Sequence, residues 1–210
     1  MKLYKQLPLA DQPLSKMVRL RYVEQISLNP AGGALSSHFF RANDIYDPNY
    51  SGVGHQPMGT DQLFTYYDHA TIVSSSCKFT PTNSGMDATG TNSGLYGVYL
   101  DDNNTVSYTS CAAILESKLG KGHVLIGSGG NVGTKPKSAT RKFSTKKFFG
   151  TKNFIGKDLY RCGATFSPTE DAYFVVWYGS VGGNDPDLLN FIVEIEYIVV
   201  MTEPKRLAQS

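Results

Sequence analysis

The chain lacks a long hydrophobic run. No stretch of about 18 apolar residues occurs in its 210 positions, so no membrane insertion is expected. Residues 1–30 hold no signal-peptide hydrophobic region, because Lys, Gln, Asp and Pro interrupt each apolar stretch. Cysteine is scarce. Cys77, Cys111 and Cys162 are an odd set with no close spacing, which argues against a disulfide framework and for buried, reduced thiols in an intracellular setting. Asn49-Tyr50-Ser51 and Asn103-Asn104-Thr105 match the glycosylation pattern by chance on that reading. His38, His55, His69 and His123 each stand apart from any other His or Cys, so metal-ligand spacing and a cupin-type His cluster are both missing.

Catalytic signatures are absent in the same way. There is no Gly-x-Ser-x-Gly elbow, and Ser144-Thr145-Lys146-Lys147 matches Ser-x-x-Lys without its companion motifs. Gly127, Gly129, Gly130 and Gly133 suggest a phosphate loop, but the glycine spacing fails at Val132 and no Gly-Lys-Ser/Thr follows. Asp101-Asp102-Asn103-Asn104 lacks the glycine that a calcium loop needs, since Val106 takes that place. The glycine and Asp101–Asn104 stretches, and Asp185-Pro186-Asp187, read as turns, and the Ser-x-x-Lys match as chance within a basic strand. No enzyme and no cofactor is expected.

What is plentiful is Tyr (13), Phe (11) and Gly (21), a mixture suited to strands and turns. Two long alternating runs frame the chain. Val18, Leu20, Tyr22, Ile26 and Leu28 share one face near the N-terminus; Phe191, Val193, Ile195, Tyr197, Val199 and Met201 share one near the C-terminus. Further strands are expected at 70–80, 95–100, 124–126, 138–147, 160–166 and 172–178. The last is apolar throughout, hence covered on both faces. Short helices are expected at 60–68, with Thr60 as its cap, and near 109–118. Residues 30–60 read as a long loop, and 148–159 show no clear pattern. Together these predict an all-β fold: a single eight-stranded antiparallel jelly roll, a two-sheet sandwich with short helices in its loops. Its first and last strands should be neighbours. The expected organisation is an arm at 1–16, the jelly-roll domain at 17–203 and a tail at 204–210.

The net charge of +2 hides a segregation. Glu116 to Arg161 holds eleven Lys and Arg against two acids, whereas Asp44–Asp102 and Glu170–Glu203 are acidic. Lysine and arginine neutralise phosphates without needing fixed spacing, so two basic sets are candidates for contact with a polyanion. One is Lys16, Arg19 and Arg21, assigned to the face of the first strand opposite its apolar residues. The other contains Lys135, Lys137, Arg141, Lys142, Lys146, Lys147 and Lys152, and the nucleic-acid-binding set drawn from both is Lys16, Arg19, Arg21, Arg141, Lys142, Lys146 and Lys147. Phe143, Phe148 and Phe149 lie among the second set and are expected to pack rather than stack on bases.

Three segments carry a family resemblance: Met17-Val18-Arg19-Leu20-Arg21-Tyr22-Val23 before a Gly-rich loop, Gly59-Thr60-Asp61-Gln62-Leu63-Phe64-Thr65-Tyr66-Tyr67-Asp68 leading into a strand, and the closing run Phe191–Met201. Over about residues 17–202 the chain resembles the capsid proteins of circular Rep-encoding single-stranded DNA (CRESS-DNA, circovirus-like) viruses. The resemblance implies a coat protein that self-assembles into a small T=1-type icosahedral shell around a circular single-stranded DNA genome. Its partners would be copies of itself and that DNA, and its place the virion, with assembly in the host nucleus. Such capsid proteins usually open with a dense Arg-rich arm. Here residues 1–16 hold only Lys2, Lys5 and Lys16 against Asp11, so DNA contact falls to the folded domain or to chain upstream of it. The rival reading is a soluble jelly-roll binding module, lectin-like or a trimeric ligand domain.

Overall fold

The computed structural model describes residues 13–30, 34–82, 94–117, 121–125 (backbone alone), 137–180, 185–186 and 188–206. The expected arm up to residue 12, most of the 80–94 loop and the Gly-rich segment at 127–133 lie outside the described residues. The strands are β1 (Ser15–Leu28), β2 (Leu35–Arg41), β3 (Tyr67–Pro81), β4 (Gly94–Asp101), β5 (Lys121–Leu125), β6 (Ala139–Ser144), β7 (Arg161–Cys162), β8 (Tyr173–Ser180) and β9 (Leu189–Pro204). The helices are α1 (Thr60–Tyr66), α2 (Cys111–Glu116) and α3 (Thr145–Phe148), with a 3-10 turn at Asp158–Tyr160.

Sheet A runs β1-β9-β3-β6, with the two-residue β7 also on β3; sheet B runs β2-β8-β4-β5. Leaving β7 aside, eight antiparallel strands form the two sheets of a jelly roll. The first and last long strands are neighbours along their whole length, from Ser15 opposite Thr202 to Leu28 opposite Leu189. Their alternation explains the pairing: Leu20, Tyr22, Val193, Ile195 and Tyr197 all fall on the buried side.

The inner faces meet in an aromatic core. Phe79 and Phe191 stack at 4.2 Å, and Phe40, Phe174 and Tyr178 join from sheet B. Each buried ring of this kind contributes about 1.5–3 kcal/mol of transfer free energy. Tyr197, fully buried, donates its hydroxyl to the Arg41 carbonyl at 2.8 Å, which ties sheet A to the end of β2.

Sheet B carries a second apolar layer on its outer side: Tyr99, Tyr173, Val175 and Trp177, covered by Cys111 and Ile114 of α2. The Ser110 hydroxyl caps α2 by accepting from the Ala113 amide at 3.3 Å. Hence β8 is buried at every position, as its unbroken apolar run predicts.

Several expectations change. β2 falls inside the expected 30–60 loop. It escaped the period-2 reading because its adjacent rings go to opposite faces, Phe40 to the inner core and Phe39 to the outer layer. Thr60 does not cap α1: Gly59, in the left-handed region at φ 90°, precedes the helix, and the Thr60 hydroxyl donates to the Pro57 carbonyl at 2.7 Å. The basic strand stops at Ser144 and turns into α3, where the Thr145 hydroxyl donates to the Ile72 carbonyl beside a β-bulge in β3. That bulge is where β3 exchanges partners, from β6 to β7, so the strand expected at 160–166 shrinks to Arg161–Cys162. The 148–159 stretch is a loop held by buried Phe154, with the Gly156 amide on the Thr71 hydroxyl at 3.5 Å.

Candidate nucleic-acid interface

The outer face of sheet A can be read strand by strand, because residues directly opposite each other share a face. One row across the sheet is Arg21, Glu196, Ser76 and Lys142; the next are Arg19, Ile198, Ser74 and Ser144 on one side, and Val23, Glu194, Lys78 and Thr140 on the other. Strands stand about 4.8 Å apart, so Arg21 and Lys142 lie on opposite edges of the face, roughly 14 Å apart. The loop with Phe154 folds over the end of the face nearest Thr71, which explains why the outward residues Thr71 and Val200 are buried.

This geometry separates the seven candidate residues. Arg19 and Arg21 share the outer face of β1 as expected. Lys16 does not join them: it stands opposite the core residue Met201 and has the parity of Leu20, so it projects from the core side at the exposed start of the strand. Arg141 and Lys142 also part company. Arg141 faces buried Cys77 across the ladder and is half-buried, whereas Lys142 is exposed opposite Ser76. Lys146 and Lys147 are exposed on α3, directly after β6. Lys135 lies outside the described residues.

The cations also divide by how far their charge is already spent. Arg41 is held inside the fold by Asp47 at 2.7 Å, Asp171 at 3.8 Å and Asp44 at 3.9 Å, with the Tyr50 ring at 5.2 Å. Burial works against its charge, and the three carboxylates more than offset that, so its pKa is raised. Arg161 pairs with Asp158 at 2.6 Å and Glu203 at 3.2 Å, and Lys205 with Asp68 at 3.5 Å. On the outer face Glu194 holds Arg21 at 3.2 Å and Lys78 at 3.4 Å. Among the described residues Arg19, Lys142, Lys146, Lys147, Lys152 and Lys157 make no ion pair. Lys142, Lys146, Lys147, Lys152 and Lys157 belong to one continuous stretch of chain, β6, α3 and the loop over sheet A, and acids are missing from it until Asp158.

Phe143, Phe148 and Phe149 sit among these lysines and form a cluster with centroids 5.1–6.1 Å apart, Phe149 edge-to-face on both others, packed on the inner core. They position α3, as expected, and are not free to receive bases. Sequence reasoning did not single out Lys78 or Lys157. For Lys78 the signal was present, since it alternates with Ser74 and Ser76 against Cys77 and Phe79.

The other chemistries considered remain apart. His38 bonds Asn49 at 2.8 Å, His69 lies beside Glu203 at 3.1 Å, and His55 lies between the carbonyls of Val23 and Gln56. Among the described residues no group of three His, Cys, Asp or Glu is placed to hold a metal ion. All three cysteines are free and buried, and burial pushes each thiol's pKa up, away from the reactive thiolate.

No protein-family model matches the chain, and no curated protein sequence matches it. Solved structures do match. A structure of turnip yellow mosaic virus is 16% identical, with 97% of this chain and 88% of that one covered, at a TM-score of 0.48. The 60-mer BFDV capsid protein is 10% identical over 93% of this chain and 97% of its own, at 0.44. The semi-empty virus-like particle of giant freshwater prawn (Macrobrachium rosenbergii) nodavirus is 8% identical over 100% and 94%, at 0.48. These are viruses and a capsid protein, not enzymes.

Proposed function

We propose that this chain is the subunit of a small icosahedral virus shell, of T=1 type, that encloses a circular single-stranded DNA genome. The observation that carries the reading is where the three resembling segments fall. Met17–Val23, Gly59–Asp68 and Phe191–Met201 are far apart in sequence, yet they form β1, α1 leading into β3, and β9, and β9 lies between β1 and β3 in one sheet. A likeness confined to local strand composition has no reason to converge on one sheet.

On this reading the genome is contacted by the unspent cations of β6, α3 and the following loop: Lys142, Lys146 and Lys147, joined by Lys152 and Lys157. Such contact is sequence-independent and salt-sensitive, because each phosphate neutralised releases a counterion. The virion is the chain's proposed location, and the nucleus its place of assembly.

The test is assembly with a circular single-stranded DNA. Size-exclusion chromatography and negative-stain microscopy should give closed particles of one size containing nuclease-protected DNA. A strict monomer at high concentration and moderate salt overturns the reading, and a stable trimer with no larger species favours the soluble binding module. Lys142→Ala/Lys146→Ala/Lys147→Ala subunits should still fold and assemble. Their log–log salt dependence of DNA binding should flatten by about 0.7 for each phosphate that is no longer neutralised. An unchanged slope removes these three residues from the interface.

A further inference from the structure

We propose that the β1/β9 half of the outer face of sheet A is an interface with a second copy of this chain, the two copies related by a two-fold axis. The inference rests on the self-association in the reading above, but on neither shell closure nor DNA.

The two halves of that face differ in kind. On β3 beyond the bulge and on β6 the outward residues are Ser74, Ser76, Lys78, Thr80, Thr140, Lys142 and Ser144, small or polar throughout. On β1 and β9 large apolar side chains stand in solvent among the charges: Met17 is 66% exposed, Val23 42% and Ile192 37%. Val23 and Ile192 are diagonal neighbours on the β1/β9 ladder and Met17 stands near its other end, so exposed apolar side chains flank charges of both signs, a composition that suits contact with protein better than with phosphate.

The charges are arranged to meet themselves. Arg21 already pairs within the chain with Glu194. Arg19 and Glu196, which point the same way, are left unpaired among the described residues: Arg19 lies opposite Ile198, and Glu196 opposite Arg21 and Ser76. One free cation and one free anion on adjacent strands make a self-complementary pair. A two-fold axis lying in the interface and passing midway between them sets Arg19 of each copy on Glu196 of the other, which is what an isologous contact requires. On this half of the face Glu194 and Glu196 balance Arg19 and Arg21, so it offers a polyanion no net positive charge, unlike the β6–α3 side. Among the described residues the outer face of sheet B offers no such site, since α2 covers it over Tyr99, Tyr173, Val175 and Trp177. The same geometry assigns Arg19 to a protein contact and leaves the phosphates to the β6–α3 side.

The decisive experiment exchanges the charges and then mixes the chains. Arg19→Glu and Glu196→Arg each place like charges face to face, so each variant alone should self-associate at least about tenfold more weakly than the unmodified chain. Sedimentation velocity below the concentration that yields particles reads this directly. An equimolar mixture of the two should recover association. In the mixed pair the carboxylate introduced at position 19 of one chain meets the guanidinium introduced at position 196 of the other, and the remaining Arg19 meets the remaining Glu196. No contact within a single chain is repaired by mixing. Circular dichroism checks that each variant is folded, and Arg19→Gln with Glu196→Gln provides a milder pair, expected to reduce the salt dependence of association.

Recovery on mixing supports the proposal. Two variants that associate as the unmodified chain does, or a mixture no better than its components, overturn it. So does a result in which Arg19→Glu releases a bound single-stranded oligonucleotide and Glu196→Arg tightens it while association stays unchanged, because nucleic acid is then the occupant. Dimers without particles leave this proposal standing and remove the shell; particles indifferent to both exchanges do the reverse.

Discussion

The outer faces of the two sheets are built on the same strand alternation and end in opposite states. In sheet B the residues that point away from the core are Phe39, Tyr99, Tyr173, Val175 and Trp177, and the chain spends α2 and its flanks on covering them. In sheet A the corresponding positions hold Arg19, Arg21, Lys78, Glu194 and Glu196, and among the described residues only the end near Thr71 is covered, by the Phe154 loop. An apolar outer row obliges a cover, and this chain provides one from its own sequence. A charged outer row with exposed Met17, Val23 and Ile192 is stable in water without such a cover. On the interface proposed above, the difference assigns one sheet to folding and the other to assembly.

The contrast breaks most visibly at Trp177. It is fully buried between sheet B and α2, and truncating it empties the centre of the outer layer. Trp177→Ala is expected to cost about 3–5 kcal/mol in chemical denaturation. A cost no larger than that of a surface substitution would mean that α2 is a loose cover and that the two faces are alike.

A sharper probe of the same cover is Gly179, at the point where α2 and β2 approach β8. A Cβ there would stand 2.6 Å from the Cys111 sulfur and 2.5 Å from a Leu35 methyl. Gly179→Ala must displace one of them, for about 1–3 kcal/mol, the usual range for overpacking. Amide exchange over residues 111–117 should rise with it. Loss of stability without that rise would place the strain in β2 instead of α2.

The two faces were also unequally legible in the sequence. Sheet A reads directly, because a half-exposed strand alternates: β1 and β9, their inner faces and the outward position of Arg19 and Arg21 all follow from parity. Sheet B defeats the same rule. β8 shows no period because both faces are buried, and β2 was hidden in a loop because Phe39 and Phe40 serve different layers. The candidate site was legible as composition and not as geometry. A run of lysines marks a basic segment, but only the fold tells that β6 ends at Ser144, that Arg141 and Lys142 face apart, or that Glu194 already holds Arg21 and Lys78. Lys16 departs from the expected face by one position of parity, which is enough to turn a strand side chain to the other side.

The smallest effect on stability is expected on the open face, and there the comparison is tested in its finest form. Val23 and Ile192 are 42% and 37% exposed, so neither contributes much to the folded subunit alone. Val23→Thr and Ile192→Thr should each shift unfolding by no more than about 0.5 kcal/mol, as surface substitutions do. Both side chains keep β-branching, so strand propensity is preserved and the change is one of polarity. If this face is covered by a second copy, the same pair of substitutions should weaken self-association measurably while leaving the denaturation midpoint in place. If it is open to water in every state of the molecule, neither quantity should move. A large loss of subunit stability would sink the distinction between the faces, because it would show that sheet A, like sheet B, depends on its outer apolar residues to stay folded.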